Sequence, residues 1–84
     1  MILIWSEDAW DDYLHWQAQD KQILRRINEL IKAIQRDPFK GIGDPEPLKH
    51  NWAGYWSRRI NREHRIIYKV QKDELWIVQS RFHY

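Results

Sequence analysis

The sequence predicts an α+β fold of order βααβββ, with two N-terminal helices on one face of a small twisted, mainly antiparallel sheet. Three observations carry this. Ile23, Ile27, Leu30, Ile31 and Ile34 keep a clean helical period. All three prolines then fall between residues 38 and 47, a break in character. Three β-prone segments follow at hairpin spacing. Helices gathered at one end of a chain and strands at the other favour segregated layers over alternating parallel units.

Taken in order, Ile2–Trp5 is a short β-prone run and Ser6 a helix cap, with Glu7 and Asp8 in the first turn where the helix dipole favours acids. Trp10, Tyr13 and Leu14 form the expected apolar stripe of this helix, which ends near Gln19. Asp20 caps the second helix, and Asp37-Pro38 stops it. Residues 37–53 read as a long loop, a length that is uncommon without a function. Pro45 and Pro47 stiffen it and bias Asp44 and Glu46 towards extended backbone. The strands are predicted over Tyr55–Ile60, His64–Val70 and Glu74–His83, joined by the short links Asn61-Arg62-Glu63 and Gln71-Lys72-Asp73.

At 84 residues the chain is one domain, residues 1–84. Chains of this size bury roughly 60–65% of their unfolded surface, and six Trp, four Tyr and two Phe exceed what so small a core needs. Some aromatics are therefore expected on the surface. With no Cys there are no disulfides or thiolate metal sites. No apolar run is long enough to span a bilayer, and Met1 leads into Ile2-Leu3-Ile4-Trp5 without a basic leader. A soluble cytoplasmic protein with no membrane partner is expected. The net charge of +2 conceals a polarity: residues 1–20 carry five acids and no Lys or Arg, and the remainder 14 bases against seven acids. That asymmetry points to a basic working surface for a polyanion, nucleic acid foremost, with a merely solvated basic face as the competing reading.

Lys49, Arg58, Arg59, Arg62, Arg65 and Arg81 are interleaved with Trp52, Tyr55, Trp56, Tyr68 and Tyr84. Bases that contact phosphate and rings that stack on unpaired nucleobases suit single-stranded RNA, although the same rings can simply fill a core. His15, His50, His64 and His83 lack metal-ligand spacing, and no Gly-rich phosphate loop is present; no metal or other cofactor is expected. His15 reads as a helix-surface residue, and His50 and His64 as structural. What remains is the carboxylate of Glu46, several guanidiniums and the imidazole of His83 beside Tyr84. This set suits metal-free RNA cleavage with the substrate's own 2′-hydroxyl as nucleophile. On residues alone, a rigid loop that merely contains Glu46 competes with that view. Strand alternation sets His83 with Leu75, Ile77, Gln79 and Arg81, and Tyr84 opposite, unless a terminal twist or bulge intervenes.

The ordered runs Leu3-Ile4-Trp5-Ser6, Ile27-Asn28-Glu29-Leu30-Ile31-Lys32, Pro45-Glu46-Pro47-Leu48-Lys49-His50, Gly54-Tyr55-Trp56-Ser57-Arg58-Arg59-Ile60, Glu63-His64-Arg65 and Arg81-Phe82-His83-Tyr84 resemble the YoeB toxins of the RelE/ParE-like type II toxin–antitoxin superfamily. The resemblance implies a RelE-like fold and a ribosome-dependent endoribonuclease that cleaves messenger RNA in the A site and inhibits translation. It implies Glu46 as general base, His83 as general acid, Arg65 as stabiliser of the phosphorane and Tyr84 as a stacking or aligning group. Lys49 and Arg59 would contact the scissile region and Glu63 would orient its neighbours. An antitoxin with an acidic, disordered C-terminal segment would cover the basic face, self-association as a dimer is implied, and operator DNA would be bound only through the antitoxin complex. Phe82, Ile66-Ile67 and Asn51-Trp52-Ala53 depart from the expected pattern without removing a catalytic group. The alternative class is a non-catalytic RNA- or ribosome-binding module that blocks translation by occupancy.

Overall fold

The computed structural model describes residues 1–82; His83 and Tyr84 lie outside the described residues. Strand β1 (Ile2–Trp5), helices α1 (Glu7–Gln19) and α2 (Lys21–Arg36), and strands β2 (Glu46–Pro47), β3 (Trp56–Arg59), β4 (Arg65–Gln71) and β5 (Glu74–Gln79) follow in chain order, with a 3₁₀ turn at His50–Trp52. The sheet runs β1-β5-β4-β3-β2. β1 lies parallel to β5 and every other pair is antiparallel. The expected α+β layering is present, with one strand more than anticipated, because Glu46-Pro47 pairs with Ser57 and Trp56. Proline is tolerated there because β2 is an edge strand that needs no outward donor.

Both helices begin where their caps dictate. Ser6 Oγ accepts from the amide of Ala9, and the Asp20 carboxylate accepts from the amides of Gln22 and Ile23. Asp20 also closes α1, its amide donating to the Trp16 carbonyl. Ile27, Leu30, Ile31 and Ile34 of α2 are buried against Ile66, Tyr68, Leu75 and Ile77 of the sheet. In α1 the buried residues are Ala9 and Trp16, while Trp10 and Leu14 remain 44% and 41% exposed. The predicted stripe is thus displaced: Tyr13 joins the core and Trp10 packs at the rim against Trp5 and Tyr13.

Alternation along β3 sends adjacent arginines to opposite fates. Trp56 pairs with Tyr68 and Arg58 with Ile66 on the helix-covered face, whereas Ser57 pairs with Ile67 and Arg59 with Arg65 on the open one. Arg58 is fully buried. Its Nε donates to Tyr68 Oη, Nη1 to the Ile42 carbonyl, and Nη2 to the carbonyls of Asp37 and Lys40. Arg58, Trp56 and Tyr68 therefore do not belong to an RNA-facing surface as the interleaving suggested; they serve the core and hold the loop after α2. Gly43 (φ +86) lets that loop approach the sheet: a Cβ there would sit 2.7 Å from Leu30 Cδ2. Asp44 is not extended as expected but turns through φ 51, a left-handed conformation that Asp tolerates better than most residues. The turn delivers Glu46 to the edge of β3.

β5 ends at Gln79 rather than continuing to the terminus, because α1 seizes the next residue. The Ser80 amide donates to Asp12 Oδ2, its hydroxyl to the Ala9 carbonyl, and Trp16 Nε1 to its carbonyl. Burial pushes the Asp12 carboxyl above the ordinary carboxylate range, opposed by the Ser80 amide and the Arg81 charge and reinforced by Asp8 and Asp11. Register also shifts within β5: Tyr68 faces Ile77, but Ile67 faces Gln79. Val78 is the extra residue of a β-bulge, and the bulge moves Gln79 from the core side to the open side. Parity read without it misplaces Gln79. Among the described residues no helix is long and apolar enough to cross a membrane.

Two outcomes follow from the buried guanidinium. Arg58→Met should lower unfolding free energy by about 2–4 kcal/mol in urea titration, since it strands hydrogen-bonded partners; Arg58→Lys should not rescue it, because an ammonium lacks the planar fork. Burial also raises the Tyr68 phenol above its usual 10.0, with the Arg58 hydrogen bond opposing. A folded-state pKa raised above the unfolded one gives stability that is complete below about pH 10 and lost as pH rises through the folded value. Tyr68→Phe should remove that part of the alkaline loss in urea midpoints.

Candidate active site

The face away from the helices carries a row built by cross-strand pairing, Glu46 opposite Ser57, Ser57 opposite Ile67 and Ile67 opposite Gln79, in which Ser57 and Ile67 are themselves buried. Directly paired residues project to the same side. Arg65 and Arg59 form the next pair along β4 and β3. The Arg65 guanidinium lies 3.6 Å from Glu46 Oε2 and 3.4 Å from Ser57 Oγ, which accepts from it. Arg65 is largely covered (15% side-chain exposure) while Glu46 is 61% exposed, so one partner is fixed and the other open to a ligand. Arg59 is exposed.

Two observations argue against a purely structural role. Like charges directly opposed on a sheet are destabilising, yet Arg59 faces Arg65. An ion pair as open as that of Glu46 contributes only about 0–1 kcal/mol, too little to explain a carboxylate set between two prolines on an edge strand. Two paired arginines can bind a phosphate, and the carboxylate beside Arg65 can accept a proton next to it.

The other predicted residues take varied positions. Lys49 is exposed at the start of the 3₁₀ turn and, with Glu46, Pro47, Leu48 and His50, lines a cavity of about 290 Å³. Glu63 is exposed in the β3–β4 link, with its carboxylate 3.8 Å from His64 Nε2. Arg62 is exposed, and Arg81 is half-buried with its guanidinium over the rings of Trp16 and Phe82. His83 and Tyr84 fall outside the described residues, and their attachment point is Phe82. The Phe82 amide donates to His64 Nδ1 at 2.8 Å and its carbonyl accepts from the Arg65 amide at 3.1 Å. Further along the open face Lys69 Nζ sits 5.3 Å from the Tyr55 ring centroid and 5.4 Å from that of Trp76.

Ser57, Gln79 and the working side of His64 escaped sequence reasoning. Ser57 had a usable signal, since it alternates with Arg59. Gln79, whose Nε2 donates to the Arg81 carbonyl at 2.9 Å, had none, because the bulge that turns it is invisible in composition.

Residues 5–84 match the family described as the YoeB-like toxin of bacterial type II toxin–antitoxin systems. The chain belongs to this family. It is 61% identical to Toxin YoeB of Escherichia coli (strain K12), covering all of both chains. Its fold matches that of a YoeB/ParE toxin from Agrobacterium tumefaciens with a TM-score of 0.98 at 50% identity, again over the whole of both chains. The YoeB of Staphylococcus aureus, solved as a dimer, matches at TM-score 0.94 and 44% identity over 100% of this chain and 98% of that one. A YoeB–YefM complex from the same organism matches at TM-score 0.93 and 42% identity, with the same coverage. The RelE-like α+β arrangement is therefore that of the YoeB toxins.

Since the Glu46–Arg65 pair is solvent-exposed at one end, Glu46→Ala should change unfolding free energy by less than about 1 kcal/mol. Urea titration beside Arg58→Met would separate the residue that holds the fold from the residue that the fold presents.

Proposed function

We propose that this chain is a ribosome-dependent messenger RNA endoribonuclease, the toxin of a type II pair acting in the cytoplasm. The observation that carries the reading is the Glu46 carboxylate held 3.6 Å from the Arg65 guanidinium on an open, basic sheet face. Glu46 takes the proton of a ribose 2′-hydroxyl, and the 2′-oxygen attacks the adjacent phosphorus. Arg65 and Arg59 stabilise the doubly charged phosphorane. His83 gives a proton to the departing 5′-oxygen, leaving a 2′,3′-cyclic phosphate and a 5′-hydroxyl. Lys49 holds the flanking backbone, Glu63 orients its neighbours, and Tyr84 stacks on a base to set the in-line geometry. Every group comes from the protein or the RNA, and no metal enters the scheme.

The partners follow from the relatives. A YefM antitoxin accompanies the Staphylococcus aureus YoeB in one solved complex. By analogy, an antitoxin whose acidic C-terminal segment orders on binding would neutralise the face carrying Arg59 and Arg65, and would alone supply contacts to operator DNA. The dimer of the same relative supports self-association here, which light scattering would measure.

Primer extension on cellular messages tests the reaction. Wild type should produce fragments with 5′-hydroxyl ends, and Glu46→Ala or His83→Ala should reduce cutting by about 10²–10⁴-fold, the usual contribution of a general base or acid. Arrested translation with intact messages would replace this reading by occupancy. Variants that cut as wild type at equal abundance would remove the residue assignments.

A further inference from the structure

We infer that His64 is a positioning residue whose Nδ1 anchors Phe82, the residue to which the proposed acid His83 is joined. The catalytic consequence rests on the nuclease reading; the anchor itself rests on separate geometry. His64 is only 6% exposed. One edge of its ring meets Trp16 at 4.7 Å between centroids, and Phe82 lies at 5.2 Å. Those contacts could be made by any aromatic ring. The 2.8 Å hydrogen bond from the Phe82 amide could not, because it needs an acceptor at Nδ1. Accepting at Nδ1 leaves Nε2 as the donor nitrogen, and Nε2 is the one that lies 3.8 Å from the Glu63 carboxylate.

Phe82 is held in a conformation it would not choose. Its φ is +63, a region that bulky residues rarely occupy and that persists only where the surroundings over-determine it. Here both ends of the residue are fixed: His64 takes its amide, while the Arg65 amide and Gln79 Nε2 take its carbonyl. Two of these three anchors, His64 and Arg65, are consecutive residues. One of them, Arg65, carries the guanidinium that faces Glu46. Phe82, to which His83 is joined, is therefore locked to the same peptide that carries the Arg65 guanidinium. His64 acts through this backbone and needs no contact with substrate.

The test sets ring against acceptor. His64→Phe keeps the aromatic contacts and loses the acceptor; His64→Asn loses the ring and keeps an acceptor at the position of Nδ1. In single-turnover cleavage on programmed ribosomes, His64→Phe should lose about tenfold to a hundredfold in rate at unchanged affinity, the scale of a misplaced catalytic group. His64→Asn should stay within a few-fold of wild type. A folded Phe variant that cuts at the wild-type rate, or a folded Asn variant as slow as Phe, overturns the inference. If His64→Phe does not fold, the Asn variant decides alone. If wild type itself leaves messages intact, the nuclease reading falls and the anchor is read by amide exchange at Phe82. Protection lost in Phe and kept in Asn then supports it, and protection unchanged in Phe overturns it.

Discussion

A buried cation that has no carboxylate partner among the described residues organises this fold. Arg58 lies wholly inside, and its charge is spread over a phenol and three main-chain carbonyls of the loop that follows α2. Desolvating a guanidinium costs several kcal/mol unless its donors are satisfied, so the loop cannot drift without exposing that cost. The constraint is transmitted forward. The Gly43 carbonyl accepts from the Arg59 amide, the chain reverses at Asp44, and Glu46 arrives opposite Ser57. A charge inside the protein thus fixes a charge outside it.

The division of labour between the two faces follows from strand alternation plus one irregularity. Helices α1 and α2 cover the side presented by Ile66, Tyr68, Leu75 and Ile77, which leaves the other side to Arg59, Arg65, Ser57 and Glu46. Alternation alone would return β5 to the core side beyond Ile77. The bulge at Val78 instead turns Gln79 outward, and the Ser80 contacts with α1 then stop the strand. An extra residue in one strand, a local defect in pairing, is what turns Gln79 to the side where its amide meets the Phe82 carbonyl.

The parts legible in the sequence were those governed by local rules. Ser6, Asp20 and Asp37 mark helix boundaries because capping and proline effects act within a few residues, and the period of α2 needs no tertiary information. What was not legible depended on long-range facts. Arg58 and Arg59 look alike in sequence, and alternation states that they part company but not which one goes inward. The parallel pairing of β1 with β5 joins residues more than 70 positions apart. Glu46-Pro47 is too short and too rich in proline to register as a strand. The resemblance of whole motifs supplied a role for Glu46 that composition and spacing left open, whereas the face it occupies came only from pairing with Ser57.

The openness of the site bears on why such a toxin would need a large partner to work. Glu46 is 61% exposed and Arg59 is exposed, so fields at a phosphate bound there are weakened by water and salt. Electrostatic stabilisation of a phosphorane becomes effective only where water is excluded and donors are fixed in advance. The fold meets the second condition through Arg58 on one side and His64 on the other, with Arg65 between them. It does not meet the first at Glu46 and Arg59, which lie exposed, even though Ser57 and Ile67 beside them are buried. Under the proposed reading, the ribosomal A site would supply the missing walls, excluding solvent and presenting the RNA in line. Dependence on the ribosome is then a consequence of where the charges sit rather than an added requirement. The same exposure leaves the face open to an acidic antitoxin segment, which would meet Arg59 and Arg65 in place of the RNA at the cost of ordering its own chain.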